Sequence, residues 1–115
     1  MKHLLIAVVL IACVPNYTPS QKEPVTVGIG FMKGKDYLDL DSGQKRAYAM
    51  GVINGILVAP LLGAPDEKMA WVRPCTEKMD AEQVAAIITK FVRDNPAEWH
   101  HGMNLLSLKA IMAAC

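Results

Sequence analysis

Apolar and polar positions alternate with different periods along this chain, and each period predicts a different element. Residues 47–62, AYAMGVINGILVAPLL, form the longest apolar run outside the N-terminus. No side of this run is clearly polar, and a helix apolar all round either spans a membrane or is enclosed by its neighbours. The run is shorter than the ~20 residues a bilayer needs, and Asn54 and Pro60 interrupt it. It therefore predicts the central helix of a small bundle. Asp41 precedes Gln44 at the spacing of a capping box, which starts this helix near Asp41. Pro60 and Gly63–Ala64–Pro65 end it. Gly51 and Gly55 stand four apart, a spacing that allows close helix approach. The expectation is close packing inside one domain, with Asn54 satisfied in the core.

The clearest amphipathic pattern lies further on. Val84, Ile87, Ile88, Phe91 and Val92 recur at helical spacing, with Lys90, Arg93 and Asp94 on the other side. Asp80 and Gln83 cap this helix. Asn95–Pro96–Ala97–Glu98 stops it and starts the next, with proline at the first helical position. That last helix carries Trp99, Met103, Leu106 and Ala110 on one stripe, and Leu105, Leu108, Met112 and Cys115 on an adjoining one. Residues 32–40 predict a short first helix with Tyr37, Leu38 and Leu40. Before it, Val25, Val27, Ile29 and Phe31 alternate with Thr26, Gly28 and Gly30. Two glycines weaken a strand here, so an extended segment without a partner strand is expected. The predicted fold is all-α: a compact four- to five-helix bundle with an extended N-terminal tether, stapled by one disulfide.

The N-terminus has another character. Lys2 and His3 precede the apolar Leu4–Ile11, the pattern of a secretory signal peptide. It ends Leu10–Ile11–Ala12–Cys13, which resembles the bacterial lipobox, where the cysteine is acylated and becomes the new N-terminus. The expected organisation is a lipoprotein signal at residues 1–12, a tether at 13–30 and a helical domain at 31–115. Residues 14–24 hold Pro15, Pro19 and Pro24 and no apolar period, which suits a tether. The protein is expected on the periplasmic side of the envelope, held by its lipid, at the outer membrane if the cell is Gram-negative. An ordinary cleaved signal, with Cys13 incidental, is the alternative.

The chain has 115 residues, with a hydrophobic share of 52%, a charged share of 20% and a net charge of +1. That composition suits a globular core and gives no basic footprint for nucleic acid. With Cys13 lipidated, Cys75 and Cys115 remain as an even pair in an oxidising compartment, and a disulfide is expected. Closing that loop is worth roughly 3–4 kcal/mol in the chain-entropy account. Catalytic and metal chemistry find little support. His100 and His101 are adjacent, so on a helix they point about 100° apart. Cys75 with either histidine would make a nucleophile pair only if it were free of Cys115. No cofactor and no metal site are expected.

Four features stand together: Tyr48–Ala49–Met50–Gly51 followed by Val52; Cys75 before a capped amphipathic helix; Asn95–Pro96–Ala97–Glu98 followed by Trp99–His100; and a Leu/Ala-rich last helix ending on Cys115. Together they resemble the Rap/Tai family, the immunity proteins of type VI secretion amidase effectors. Tyr48, Gly51, Cys75, Val84, Pro96, Glu98, His101 and Cys115 fall on that family's pattern, and the likeness runs from Phe31 to Cys115. Residues 39–47 lack the further cysteine that many members carry, and the lipobox is a second difference. The resemblance implies a helical periplasmic protein, often a homodimer, that binds a peptidoglycan amidase and blocks its active site without catalysis of its own. A structural or acid-stress chaperone role for a small disulfide-bonded envelope lipoprotein is the alternative.

A plug for an enzyme cleft needs a partly apolar element with a polar rim. Residues 65–74 are expected to be a polar loop of this kind. Asp66, Glu67, Lys68 and Arg73 surround Met69 and Trp71 there. Trp71 is either tucked onto the core or offered to the partner. The acidic turn between Asp36 and Asp41 is the next candidate surface.

Overall fold

Asp41 accepts a 2.8 Å hydrogen bond from the Gln44 amide, and its own amide donates to Gln44 Oε1 at 3.0 Å. Asp80 and Gln83 repeat this reciprocal pair with the same distances. Each box satisfies donors that a helix start leaves orphaned, and each opens one of the two longest helices. In the computed structural model, residues 26–115 are described. They form α1 (Gly34–Leu38), α2 (Ser42–Leu57), α3 (Asp66–Met69), α4 (Val72–Thr76), α5 (Ala81–Asp94) and α6 (Met103–Ala114). Short 3₁₀ turns at Ala59–Leu62 and Pro96–Glu98 follow α2 and α5. Among the described residues there is no strand, only an isolated bridge between Lys33 and Gly102. The fold is the all-α, disulfide-stapled domain that the patterning predicts.

The middle of the bundle is α5 rather than α2. It packs on α1, α2 and α6, and it buries Val84, Ala85, Ile88 and Val92. From α6 come Met103, Leu106, Ala110 and Ile111, all 1% exposed or less. Tyr37 of α1 is fully enclosed, its hydroxyl 3.2 Å from Thr89 Oγ1 and its ring edge-on to Tyr48 at 5.5 Å. By contrast α2 buries Ala49 alone. Asn54 is exposed rather than satisfied in the core. The expectation of an enclosed central helix is thus corrected. A helix with no polar side gives no periodic signal of which side faces inward, and here only one side is covered.

Two further boundaries differ from those predicted. Residues 65–74 are not a polar loop; they fold into α3 and α4, and Val72 is buried. The last helix begins at Met103, not near Pro96, because Pro96–Glu98 closes only a 3₁₀ turn. Trp99 therefore sits outside α6, and its indole Nε1 donates to Val92 O at 2.6 Å. Gly102 is the reason for the break. Its amide region receives the chain from the other end of the domain, with Ile29 O 2.0 Å from where a β-carbon would lie.

The extended N-terminal segment has no partner strand, as expected. It is fastened to the start of α6 instead. Met103 N donates to Met32 O at 2.8 Å, Gly34 N to His101 O at 3.1 Å, and Asn104 Nδ2 to Gly28 O at 2.7 Å. Residues 1–25, including Cys13 and the expected signal and lipobox, lie outside the described residues.

Candidate functional site

The end of α2 decides what this domain displays. Val58 caps the helix, Pro60 forces the 3₁₀ turn, and Gly63 turns the chain with φ of +94°, the left-handed region that suits glycine. The turn holds Leu61 and Leu62 outward, 86% and 87% exposed. Two adjacent leucines that free of cover are unusual in a small domain, since a contiguous apolar patch marks an interaction surface. Asp66 and Glu67 follow at the start of α3, both exposed. Sequence reasoning assigned Leu61 and Leu62 to the end of the buried run and so missed this tip. The signal that could have found it is Pro60: a proline directly before a leucine pair ends the helix before the leucines can join its covered side.

Of the predicted partner-binding residues, Asp66, Glu67 and Arg73 are exposed, whereas Met69 and Trp71 are half-buried. Trp71 packs against the core cluster, and its indole Nε1 donates to Lys68 O at 2.9 Å. Asp66, Met69 and Arg73 share a depression of about 440 Å³ with Leu57 and Pro60. Glu67 does not line it.

On the other side of Met69 lies a longer groove of about 570 Å³ between α2, the α3–α4 corner and α6. Its floor is Gly51 and Gly55, and a β-carbon built on either would meet nothing within 4 Å. The expected close packing at these two glycines is therefore absent. Val52, Ile56, Met69, Trp71, Leu108 and Met112 form the walls, and Lys68 and Asn104 also border the groove.

Cys75 and Cys115 are bonded, with their Cα atoms 5.8 Å apart. This joins α4 to the end of α6 and removes Cys75 as a free nucleophile. His100 and His101 are not on a helix but in the turn before α6, with ring centroids 4.0 Å apart. Among the described residues, no group of three His, Cys, Asp or Glu side chains could hold a metal ion. Tyr48, at the groove, has its ionisation pushed up chiefly by burial. Glu98 is held below the usual carboxylate range, first by the hydrogen bond from Lys109 at 2.6 Å.

No protein-family model, no curated protein and no solved structure matches this chain.

Proposed function

We propose that this protein is a binding protein of the cell envelope that occupies the cleft of a peptidoglycan amidase and carries out no chemistry itself. The observation that carries the reading is the Leu61–Leu62 tip. It is apolar and outward-facing, and the exposed Asp66 and Glu67 follow it on α3, which packs on the same turn. An apolar centre within a charged rim is the anatomy of a protein–protein contact. The tip rests on a short, braced segment, with Gly63 at one side and the Cys75 bond at the other, which limits the ordering cost of docking. The Cys75–Cys115 bond fits an oxidising compartment. The Rap/Tai-like residues supply the partner class, and the lipobox-like Cys13 supplies a membrane anchor.

The test is capture from an envelope extract, with the amidase identified by mass spectrometry and its hydrolysis of peptidoglycan assayed with and without this protein. A Leu61→Asp/Leu62→Asp variant is expected to melt like the parent and to lose capture and inhibition at least ~30-fold, the effect of a ~2 kcal/mol hot spot. If the unchanged protein neither retains nor inhibits an amidase, the amidase reading is wrong. Protection of client proteins from aggregation at low pH would then favour the chaperone role. If the variant captures as well as the parent, the contact lies elsewhere.

A further inference from the structure

The groove floored by Gly51 and Gly55 is separate from the Leu61–Leu62 tip and needs its own occupant. Its floor carries no side chain, so nothing there can make a directional hydrogen bond. Its walls are mainly aliphatic, thioether and aromatic surface, with Tyr48, Lys68 and Asn104 also lining it, and methionines such as Met69 and Met112 adapt to an irregular apolar ligand. The two glycines are one helical turn apart, so the floor runs along the α2 axis as a channel. This form suits a flexible alkyl chain better than a folded protein surface.

The chain's own tether leads to this groove. Asn104 lines it, and the same side chain donates to Gly28 O at 2.7 Å. The described chain therefore begins at the groove's edge. Fourteen residues lie between Cys13 and Gly28. Fully extended, a peptide of that length spans at most ~50 Å. Before Gly28, Val14, Tyr17, Val25 and Val27 are separated by polar residues and prolines, which leaves no continuous apolar run to fill the groove. Val27, Ile29 and Phe31 are exposed rather than seated in it. A lipid on Cys13 supplies such a run.

We propose that the groove between α2, the α3–α4 corner and α6 receives one acyl chain of the lipid on Cys13 when the protein is away from a membrane. The inference rests on the lipoprotein part of the proposed function and not on the amidase part. A ligand held by a short tether that can reach its site is present at an effective concentration of about millimolar, so a groove of modest affinity stays filled. Filling it competes with insertion of the same chain into a bilayer. The anchor is then adjustable, and its apparent affinity for a membrane falls by the fraction of molecules whose chain is stowed.

The experiment uses the full exported chain, purified with its native N-terminus and freed of detergent. Mass spectrometry of the N-terminal peptide must show the acyl mass on Cys13. Partition into phosphatidylcholine vesicles is then compared between the parent and Gly55→Leu, whose new side chain would fill the floor from an exposed helical position. Gly55→Leu is expected to bind vesicles at least about tenfold more tightly and to self-associate in detergent-free buffer where the parent stays dispersed. Leu108→Phe, which narrows the opposite wall, is expected to act in the same direction, so the result does not hang on one variant's folding. Met50→Ala, exposed and outside the groove, is expected to behave like the parent. Equal partition of the parent and both groove variants overturns the proposal, and so does an unacylated Cys13. Amidase capture through Leu61 and Leu62 is read separately, so either idea can fail without the other.

Discussion

The Cδ1 methyl of Leu106 lies 2.6 Å from the point that a β-carbon on Gly34 would occupy. Trp99 Cα and Val92 Cγ1 stand 3.2 Å and 3.4 Å from the same point. Here α1 meets α6 and the end of α5 with no room for one more carbon. Leu106 is 1% exposed, so its methyl cannot swing into solvent. Gly34→Ala is expected to destabilise the domain by about 1–3 kcal/mol through overpacking. Gly51→Ala is expected to do the opposite and stabilise by about 0.5–1 kcal/mol, because its β-carbon meets open space in mid-helix. Urea unfolding of the two variants checks both signs. A loss at Gly51 would mean that the groove is closed in solution.

Cys75→Ser and Cys115→Ser are expected to lower stability equally, by roughly 3–4 kcal/mol for a loop of this length. The double variant should be no worse than either single one, because one bond is lost in each case. Denaturant midpoints under oxidising conditions test this. Unequal losses would assign part of the effect to side-chain packing at one cysteine.

Glu98 connects the turn before α6 to Lys109 within it. Its folded-state pKa is lowered from 4.5, with the Lys109 hydrogen bond as the main cause. A lowered carboxylate pKa contributes stability that is fully present above the unfolded value and is lost as the pH falls through the folded one. Glu98→Gln is therefore expected to be less stable than the parent at pH 7 and equal to it near pH 3. Parallel melting curves from pH 7 to pH 3 decide the point. A gap that persists at the acidic end would contradict the assignment.

Trp71 touches both the core and the groove. Trp71→Ala is expected to destabilise by about 2 kcal/mol, roughly half the loss typical of a fully buried tryptophan. A melting temperature equal to the parent's would instead make Trp71 a pure contact residue, as an exposed loop position would predict. Circular dichroism melts are sufficient to tell the two apart.

How far the sequence reached depends on which signals are local. The capping boxes at Asp41 and Asp80 use neighbours three residues apart, and both form. The α5 pattern was legible because Val84, Ile88 and Val92 contrast with Lys90 and Arg93 on one helix. The pairing of Cys75 with Cys115 was expected on the premise that the third cysteine, Cys13, is taken up by a lipid, and that bond is present. The uncovered side of α2 was not legible, since Met50, Gly51 and Leu57 offer no polar contrast and the single amide of Asn54 reads equally well as a satisfied core group. Nor was the start of α6. Gly102 ends one segment because Ile29 approaches it from more than seventy residues away, and no local pattern records such an approach. The candidate tip was hidden for the first of these reasons: Leu61 and Leu62 continue the apolar run in sequence while leaving the bundle in space.

The fastening of α6 at both ends has a consequence for amide exchange. Its first turn is held by Met32, Gly28 and the Lys33–Gly102 bridge, and its last by the bond to Cys75. Fraying, the usual route by which deuterium enters a helix, has no free end to start from there. The final turn of α2 has Leu61 and Leu62 beyond it and nothing packed over them. Protection should therefore be greatest along α6, although α2 is the longer helix, and should fall away toward Leu57. In this domain the deepest-lived hydrogen bonds belong to the helix that is pinned at both ends, not to the longest one.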